Sequence, residues 1–207
     1  MKIVSKFFCK IKNTGVLNTF CCLYKLLFLK IVSVLFRLER WHSIAPYECR
    51  AYKKLVVGIV NELQPHTVVE IGCGLGEIIS RVNAAGKHGF DREENVIKVA
   101  KMLCSIENNF HVGSFDEVKS LKEKIIDVLI MVNWLHDLDG SHIRGEIEEI
   151  LKVKEIKYII VDEVHTFREG YRYHHDFEQC FHGIAEKIKD VDDGYDNYRK
   201  ISLFKIS

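Results

Sequence analysis

A chain of 207 residues with 47% hydrophobic and 29% charged residues is long enough for one globular domain with a short appendage. Its seven cysteines show no Cys-x-x-Cys spacing, which argues against a disulfide framework or a zinc knuckle and favours reduced thiols in the cytoplasm. Residues 1–54 carry a net charge of +9 (eleven Lys/Arg, two Asp/Glu), and the remainder carries −8 (nineteen and twenty-seven). We therefore expect the basic segment to have a partner of its own, and the acidic body argues against a nucleic-acid partner.

Residues 1–40 form a basic and apolar leader that we predict to be helical. Its longest uncharged run, residues 13–24, is shorter than the roughly 20 apolar residues of a membrane-spanning helix, and Lys25 and Lys30 interrupt the apolar residues after that run. No small-residue cleavage site of a secretory signal follows the apolar region. We predict a helix that lies on the inner face of the membrane, with its lysines towards anionic head groups. The alternative is a helical cap that packs on the domain or on a second copy of the chain.

The next predicted helix covers residues 47–63, where apolar residues recur every three or four positions and Pro46 is placed to open the helix. An apolar run at residues 68–71 then predicts a buried strand. Gly72, Gly74 and Gly76 follow it, and glycines let the backbone turn tightly and approach a ligand. We predict a helix from Glu77 to about Ala84. A strand, a glycine loop and a helix N-terminus together favour a ligand with an anionic group.

The glycine spacing distinguishes between cofactors. A dinucleotide fingerprint requires a glycine where this chain has Glu77, and a Walker A loop requires a Gly-Lys-Ser/Thr sequence that is absent. The sequence Glu70-Ile-Gly-Cys-Gly-Leu-Gly76 resembles motif I of the class I S-adenosylmethionine-dependent methyltransferases. The resemblance implies that Glu70, Gly72, Cys73, Gly74 and Gly76 bind the methionine portion of S-adenosylmethionine. The alternative is a glycine turn in some other α/β domain.

A second short strand is predicted at residues 87–91, and it ends in Asp91. Asp91 follows Gly72 by 19 residues, a separation that suits a carboxylate bound to a ribose diol. In the resembled family the acid at the end of this strand has that role. Asp91 is also placed to cap the helix predicted for residues 93–104, and the two roles are compatible.

The third and fourth strands are predicted at residues 109–116, with their loop, and 125–132. Family members often have an acid for the adenine amine after the third strand, where this chain has Ser114 and Phe115. We assign the adenine contact to Ser114 and a stacking role to Phe115. Asn133-Trp-Leu-His follows the fourth strand, where open α/β sheets bind ligands, and Asn133 is a predicted cofactor residue. The Asn-Pro-Pro motif of base and glutamine methyltransferases is absent, which favours the small-molecule branch of the family.

A helix at residues 141–151, a fifth strand at 157–162 and a closing antiparallel pair at 184–191 and 198–206 complete the predicted elements. The predicted fold is therefore a Rossmann-like, doubly wound, mostly parallel sheet with a C-terminal antiparallel hairpin. The resemblance covers residues 41–207, which are the predicted methyltransferase domain, and leaves the leader outside.

Methyl transfer to a hydroxyl needs alignment of the reacting groups and a base, and histidine is the common base near neutral pH. His136, His165 and His175 lie on the predicted ligand side and are the candidate bases. We expect the acceptor pocket to contain Trp41, His42, Tyr47, Tyr171, Arg172 and Asp176. In small-molecule methyltransferases the segment before motif I often covers the active site, so the first three are candidates for a lid; the alternative is that Trp41 anchors the leader.

The expected acceptor is a small molecule, either a sugar or a lipid-linked or surface glycan. The Arg-Trp-His, motif I and Asn-Trp-Leu-His segments look similar to small methyltransferases of bacterial surface-polysaccharide synthesis. A weaker alternative is metal-assisted transfer with Asp162, Glu163, His165 and Asp176 as ligands. The other alternative is a non-catalytic cofactor-binding protein in a membrane-associated complex. A nicotinamide-dependent epimerase is disfavoured because no Tyr-x-x-x-Lys pair occurs.

Overall fold

The computed structural model describes residues 16–104, 109–165, 170–194 and 199–207. The chain divides into two compact units between Arg50 and Ala51. The predicted division into a leader of residues 1–40 and a domain of residues 41–207 stays a prediction.

In the first unit, the described residues include a long helix, α1 (Val16–Leu35), which agrees with the helix predicted for the apolar leader. Two short 3₁₀ helices follow it, at Arg40–Ser43 and Tyr47–Cys49. An ion pair between Lys25 and Glu48 joins α1 to the second of them. Among the helices that the structure describes, none is long and apolar enough to cross a membrane. The leader before residue 16 lies outside the described residues.

In the second unit, the described residues contribute seven strands to one sheet of order β3-β2-β1-β4-β5-β7-β6. The strands are β1 (Thr67–Ile71), β2 (Gly86–Asp91), β3 (Phe110–Val112), β4 (Ile125–Met131), β5 (Glu155–Val164), β6 (Ala185–Asp192) and β7 (Arg199–Ile206). The pairs among β1 to β5 are parallel, whereas β7 is antiparallel to both β5 and β6. The predicted mostly parallel sheet with a closing antiparallel hairpin is confirmed.

Five α-helices are described in the second unit, one before β1 and the others between strands. They are α2 (Ala51–Glu62), α3 (Glu94–Leu103), α4 (Phe115–Lys119), α5 (Gly140–Leu151) and α6 (Phe177–Cys180). The prediction of a helix that begins at Tyr47 was wrong, because Arg50 is extended, with φ −118° and ψ 97°, and separates a 3₁₀ turn from α2. The short helices α4 and α6 were not predicted.

The core lies on the central strands, which are buried along most of their length. Val69, Leu129 and Ile159 on adjacent strands are fully buried, and Ile143 and Ile147 of α5 belong to the same apolar cluster. Near-continuous apolar strands of this kind are expected where helices cover both faces of a parallel sheet. Polar side chains at the strand ends are therefore the exceptions that locate a site.

The segment after the glycine loop is a series of turns, so the helix predicted from Glu77 to about Ala84 was wrong. Ser80 N–H donates to Gly76 over four residues at 3.1 Å, whereas Arg81 N–H donates to Ile78 over three at 2.8 Å. The N–H of Ile79, the residue before Ser80, donates to the carboxylate of Glu70 at 2.9 Å. The mixture of four-residue and three-residue hydrogen bonds in this segment is not a regular helical ladder.

Glu70 is a buried carboxyl group on the central strand β1, with 3% of its surface exposed. Burial disfavours the charged form and raises the pKa of Glu70 to about 8, although the nearby Lys53 ammonium and the Ile79 N–H act in the opposite direction. Lys53 itself forms an ion pair with Glu77 of the glycine loop. Glu70 is therefore mostly neutral at pH 7.

This protonation state predicts how the stability of the fold depends on pH. A carboxyl group whose pKa is raised by folding stabilises the fold below pH about 4.5, and that contribution is lost as the pH rises to about 8. The substitution Glu70→Gln keeps a neutral acceptor at every pH. We expect the free energy of unfolding of Glu70→Gln, relative to wild type, to rise by about 1–4 kcal/mol between pH 5 and pH 8.5.

Chemical denaturation at the two pH values measures this difference. Glu155→Gln removes one exposed carboxyl group and is the matched control for the change in net charge. A difference that is the same at both pH values would show that Glu70 is ionised in the folded protein.

Candidate active site

The functional residues predicted from separate parts of the sequence meet at one edge of the sheet. Strands β1 to β5 all pair in parallel: β1 with β2 and β4, β2 with β3, and β4 with β5. The loops that follow these five strands therefore lie at the same edge of the sheet. The glycine loop, Asp91, Ser114 and Asn133 follow β1, β2, β3 and β4 in that order, and Asp162 lies near the end of β5. Open α/β sheets bind ligands at this carboxyl edge.

The glycine loop requires glycine at three positions. Gly72, Gly74 and Gly76 have φ values of +74°, +54° and +72°, a conformation that disfavours any residue with a Cβ atom. Asp91 fixes this loop, because its Oδ2 accepts the Gly74 N–H at 3.0 Å and its Oδ1 accepts the Glu93 N–H at 3.0 Å. Each carboxylate oxygen has a second lone pair, so Asp91 can still accept hydrogen bonds from the hydroxyl groups of a ribose.

Trp134 covers the glycine loop, and the sequence analysis did not select it as a site residue. Its indole Nε1–H donates to the Ile71 carbonyl at 2.7 Å. A Cβ atom on Gly72 would lie 2.3 Å from the indole Cδ1, so the tryptophan and a side chain at position 72 exclude each other. The signal in the sequence was an aromatic residue directly after Asn133, at the end of the strand beside β1.

Three other predicted cofactor residues lie beside this loop or after β3. Cys73 is buried, and burial raises the pKa of its thiol well above the ordinary value, so the thiol is protonated. Phe115 is buried in the core with its ring 5.6 Å from that of Trp134. The Ser114 N–H donates to the Glu117 carboxylate at 2.7 Å. The predicted contacts of these residues with the cofactor stay predictions.

His136 lies in a polar and aromatic cluster after β4. Its ring meets that of Tyr171 edge-on, with the centroids 4.0 Å apart, and its carbonyl accepts the Tyr173 N–H at 2.9 Å. Burial lowers the pKa of His136, against the smaller opposing effects of Asp137 and Asp162. A neutral imidazole with an available lone pair is the form that a general base requires.

His175 is brought to the same cluster, since its Nε2 lies 3.0 Å from the Leu135 carbonyl and donates to it. Asp176 accepts the Gln179 N–H at 3.1 Å and so caps α6. Arg172 lies over the ring of Tyr173, 5.3 Å from its centroid, and His165 is exposed just after β5. The structure thus groups His136, Tyr171 and His175, and the catalytic and acceptor roles of all these residues stay predictions.

The cluster also contains a buried ion pair that the sequence did not predict. Arg199, the first residue of β7, pairs with Asp162, and their side chains are 5% and 2% exposed. The guanidinium carbon lies 4.6 Å from the centroid of the Tyr52 ring. Asp162 and Glu163, both assigned to the alternative metal site, are therefore in ion pairs, the second with Lys200 at 2.8 Å. Within the described ranges, no group of three His, Cys, Asp or Glu is arranged to hold a metal ion.

The remaining acceptor residues belong to the first unit. Trp41 and His42 lie in the 3₁₀ helix Arg40–Ser43, with their ring centroids 5.8 Å apart, and Tyr47 begins the next 3₁₀ helix. Their role as a lid stays a prediction.

The residues at the sheet edge fit S-adenosylmethionine, whose sulfonium carries an activated methyl group. The sites after β3, β2, β1 and β4 span three strand intervals, or about 14 Å, which suits an elongated cofactor. Across this span, Ser114 and Phe115 would lie at the adenine end and Asp91 at the ribose. The left-handed glycine loop would hold the methionine portion, because it lets the backbone approach that part closely.

Comparisons with known proteins agree with this geometry. The methyltransferase domain family matches residues 69–156. A comparison with curated protein sequences gave no significant match. The magnesium protoporphyrin IX methyltransferase of Synechocystis, solved with bound S-adenosylmethionine, is similar in structure, with a TM-score of 0.56, 16% identity and coverage of 76% of this chain and 80% of that one.

Two further solved structures share the fold. The N-methyltransferase NodS of Bradyrhizobium japonicum has a TM-score of 0.62 and 11% identity, with coverage of 76% of this chain and 95% of that one. WbdD has a TM-score of 0.55 and 20% identity, with coverage of 79% of this chain and 43% of that one. The chain therefore contains a region that matches the methyltransferase domain family, at residues 69–156, and it shares its fold with these methyltransferases.

Proposed function

We propose that this methyltransferase acts on a hydroxyl group of a small molecule, specifically a sugar or a lipid-linked or surface glycan. The observation that carries the proposal is the half-buried His136, whose pKa is lowered by burial, in a cluster with aromatic and polar side chains at the carboxyl edge of the sheet. A hydroxyl must lose its proton during transfer, so an acceptor of this class needs the base that His136 provides.

The surroundings of His136 support a polar acceptor with apolar faces. Tyr171 and Tyr173 present aromatic rings, and His175 presents a second imidazole, so flat apolar surface alternates with hydrogen-bonding groups. The structural neighbours include a porphyrin methyltransferase and an N-methyltransferase, so the fold leaves the acceptor open. The resemblance to small methyltransferases of surface-polysaccharide synthesis favours the sugar.

The reaction that this cluster supports is a direct displacement. The neutral imidazole of His136 accepts the proton as the hydroxyl oxygen bonds to the methyl carbon. S-adenosylmethionine held at the glycine loop would supply the methyl group, and its sulfur would keep the electron pair of the carbon–sulfur bond. The chain's main contribution is the alignment of the oxygen with that carbon, which the fixed glycine loop and the turn after β4 provide.

The pH dependence of turnover tests the role of His136. Protonation inactivates a base, and burial lowers the pKa of His136, so we expect activity to persist below pH 6.5, the ordinary pKa of histidine. His136→Ala should lower kcat by about 10²- to 10⁴-fold and remove this acid limb. His142→Ala, at an exposed histidine of α5, is the control. Methyl transfer to a panel of sugars, followed from pH 4.5 to 8, measures both, and an unchanged profile in His136→Ala would exclude this base.

We further propose that the leader binds the enzyme to an anionic membrane surface. One face of α1 exposes large apolar side chains at spacings of three or four residues, which place them on a single stripe. This stripe comprises Leu23, Tyr24, Leu27, Phe28, Ile31, Val34 and Leu35, each between 42% and 77% exposed. Exposed apolar surface of this extent marks an interaction site.

The charge pattern favours lipid over another protein as the occupant. Lys30, seven residues after Leu23, lies at the margin of the stripe, and the exposed Arg37 follows the helix. Lys2, Lys6, Lys10 and Lys12 precede it in the sequence. Apolar side chains that enter the interface, with cations beside them at the head groups, are typical of helices that lie on anionic membranes.

Cosedimentation of the full chain with vesicles tests this surface. We expect binding to phosphatidylglycerol vesicles and at least about tenfold weaker binding to phosphatidylcholine vesicles. Leu27→Glu/Ile31→Glu should abolish binding because both charges fall on the stripe. Val153→Glu/Ile188→Glu adds the same charge to exposed apolar positions of the second unit and should bind like wild type.

The result that would contradict lipid binding is equal sedimentation of both double variants. A dimer in the absence of lipid that only Leu27→Glu/Ile31→Glu dissociates would also contradict it, because the stripe would then face a second copy of the chain.

A further inference from the structure

We propose that the buried pair Asp162–Arg199 is a positioning device that fixes the turn at Asn133. Through this turn it places Trp134 on the glycine loop and His136 in the acceptor cluster. The first part rests on the cofactor site alone, and the part that concerns His136 rests on the proposed function.

Asn133 has an uncommon backbone conformation that needs support. Its φ is +71°, in the left-handed region where a residue with a Cβ atom is strained, although asparagine tolerates it better than most. Its N–H donates to Asp162 Oδ1 at 2.6 Å. This charge-assisted hydrogen bond ties the turn after β4 to the neighbouring strand β5, which pairs with β4 up to Met131 and Val161.

Asp162 is in turn held by Arg199. The guanidinium pairs with the other carboxylate oxygen, Oδ2, and both side chains are almost fully buried. The face of the guanidinium packs on the Tyr52 ring. Because both oxygens of Asp162 are engaged and the pair is shielded from water, the carboxylate presents Oδ1 to Asn133 in one fixed direction.

The consequences reach both halves of the site. Trp134, the next residue, contacts Gly72 of the cofactor loop, and His136 follows two residues later. Arg199 is also linked to His136 through Tyr171, since its Nη2 donates to the Tyr171 hydroxyl at 3.4 Å and the Tyr171 ring contacts that of His136 edge-on. A change at Arg199 should therefore alter cofactor binding and turnover, although the pair is not predicted to touch either reactant.

The test replaces the ion pair by apolar side chains of similar size. Asp162→Leu/Arg199→Met leaves no unpaired buried charge, so we expect it to fold. We expect hydrogen–deuterium exchange at Asn133 to accelerate by about tenfold, S-adenosylmethionine affinity to fall about tenfold and, with an acceptor, kcat to fall up to about 100-fold. Exchange and cofactor affinity need no acceptor, so they are readable even if the proposed sugar is wrong.

Two further substitutions, Asn133→Gly and Asn133→Ala, are each added to the double variant. Comparing them separates the effect of the backbone conformation at position 133 from the effect of losing the asparagine side chain. Both remove the same amide, but only glycine adopts positive φ without strain, so glycine should restore most of the cofactor affinity and alanine should not. Gln64→Gly, at another residue with positive φ (49°) outside the site, controls for a general gain in stability and should restore nothing.

Unchanged exchange at Asn133 in the double variant, or equal cofactor affinity in the glycine and alanine variants, would overturn the proposal. If the double variant fails to fold, Arg199→Lys keeps the charge but loses the planar contact with Tyr52. We expect it to shift exchange and affinity in the same direction by a smaller factor, and wild-type values in Arg199→Lys would overturn the proposal.

Discussion

The parallel pairing of β1 with both β2 and β4 is the constraint on which the site depends. It brings the glycine loop, Asp91 and Asn133 to one edge although they are far apart in the sequence. The hydrogen bond from Trp134 to the Ile71 carbonyl then joins the loop after β4 to the end of β1. The cofactor loop and the turn that carries His136 are therefore directly connected, so a displacement of either one should also displace the other.

Three buried carboxyl groups at or beneath this edge are stabilised in three different ways. Glu70 avoids the cost of burial by a raised pKa and is mostly neutral. Asp91 accepts two backbone N–H groups, one from the glycine loop and one at the start of the α3 segment. Asp162 is paired with Arg199. Each arrangement fixes a different part of the site backbone, so the polar groups that disrupt the apolar core also position the loops that the cofactor requires.

The sequence predicted those parts of the fold whose cause is local. The apolar run of β1, the glycines after it and Asp91 at the end of β2 are each recognisable within a few residues, and their placement is confirmed. The helix predicted after the loop was wrong, because the segment is a series of turns. Within it, the hydrogen bond from the Ile79 N–H to the Glu70 carboxylate is a contact that local sequence does not reveal.

The ion pair Asp162–Arg199 and the contact between Gly72 and Trp134 were missed for a related reason. Their members are 37 and 62 residues apart, and only the order of strands in the sheet brings them together. Arg199 begins a strand that pairs antiparallel with β5, so its position beside Asp162 depends on the sheet's closing hairpin. Residues that act through such contacts have no local pattern, whereas His136 could be proposed as a base because the segment Asn133-Trp-Leu-His follows a buried strand, and that role stays a prediction.

Calorimetric titration of the full chain with S-adenosylmethionine, beside Asp91→Ala and Asp91→Asn, tests the assignment of the cofactor site most directly. We expect one binding site in wild type and an affinity at least about tenfold lower in both variants. Neither variant has the carboxylate whose charge-assisted hydrogen bonds to the ribose we assign to Asp91. Circular dichroism confirms that each variant is folded. Equal affinity in all three proteins, or binding of NAD in place of S-adenosylmethionine, would contradict the assignment.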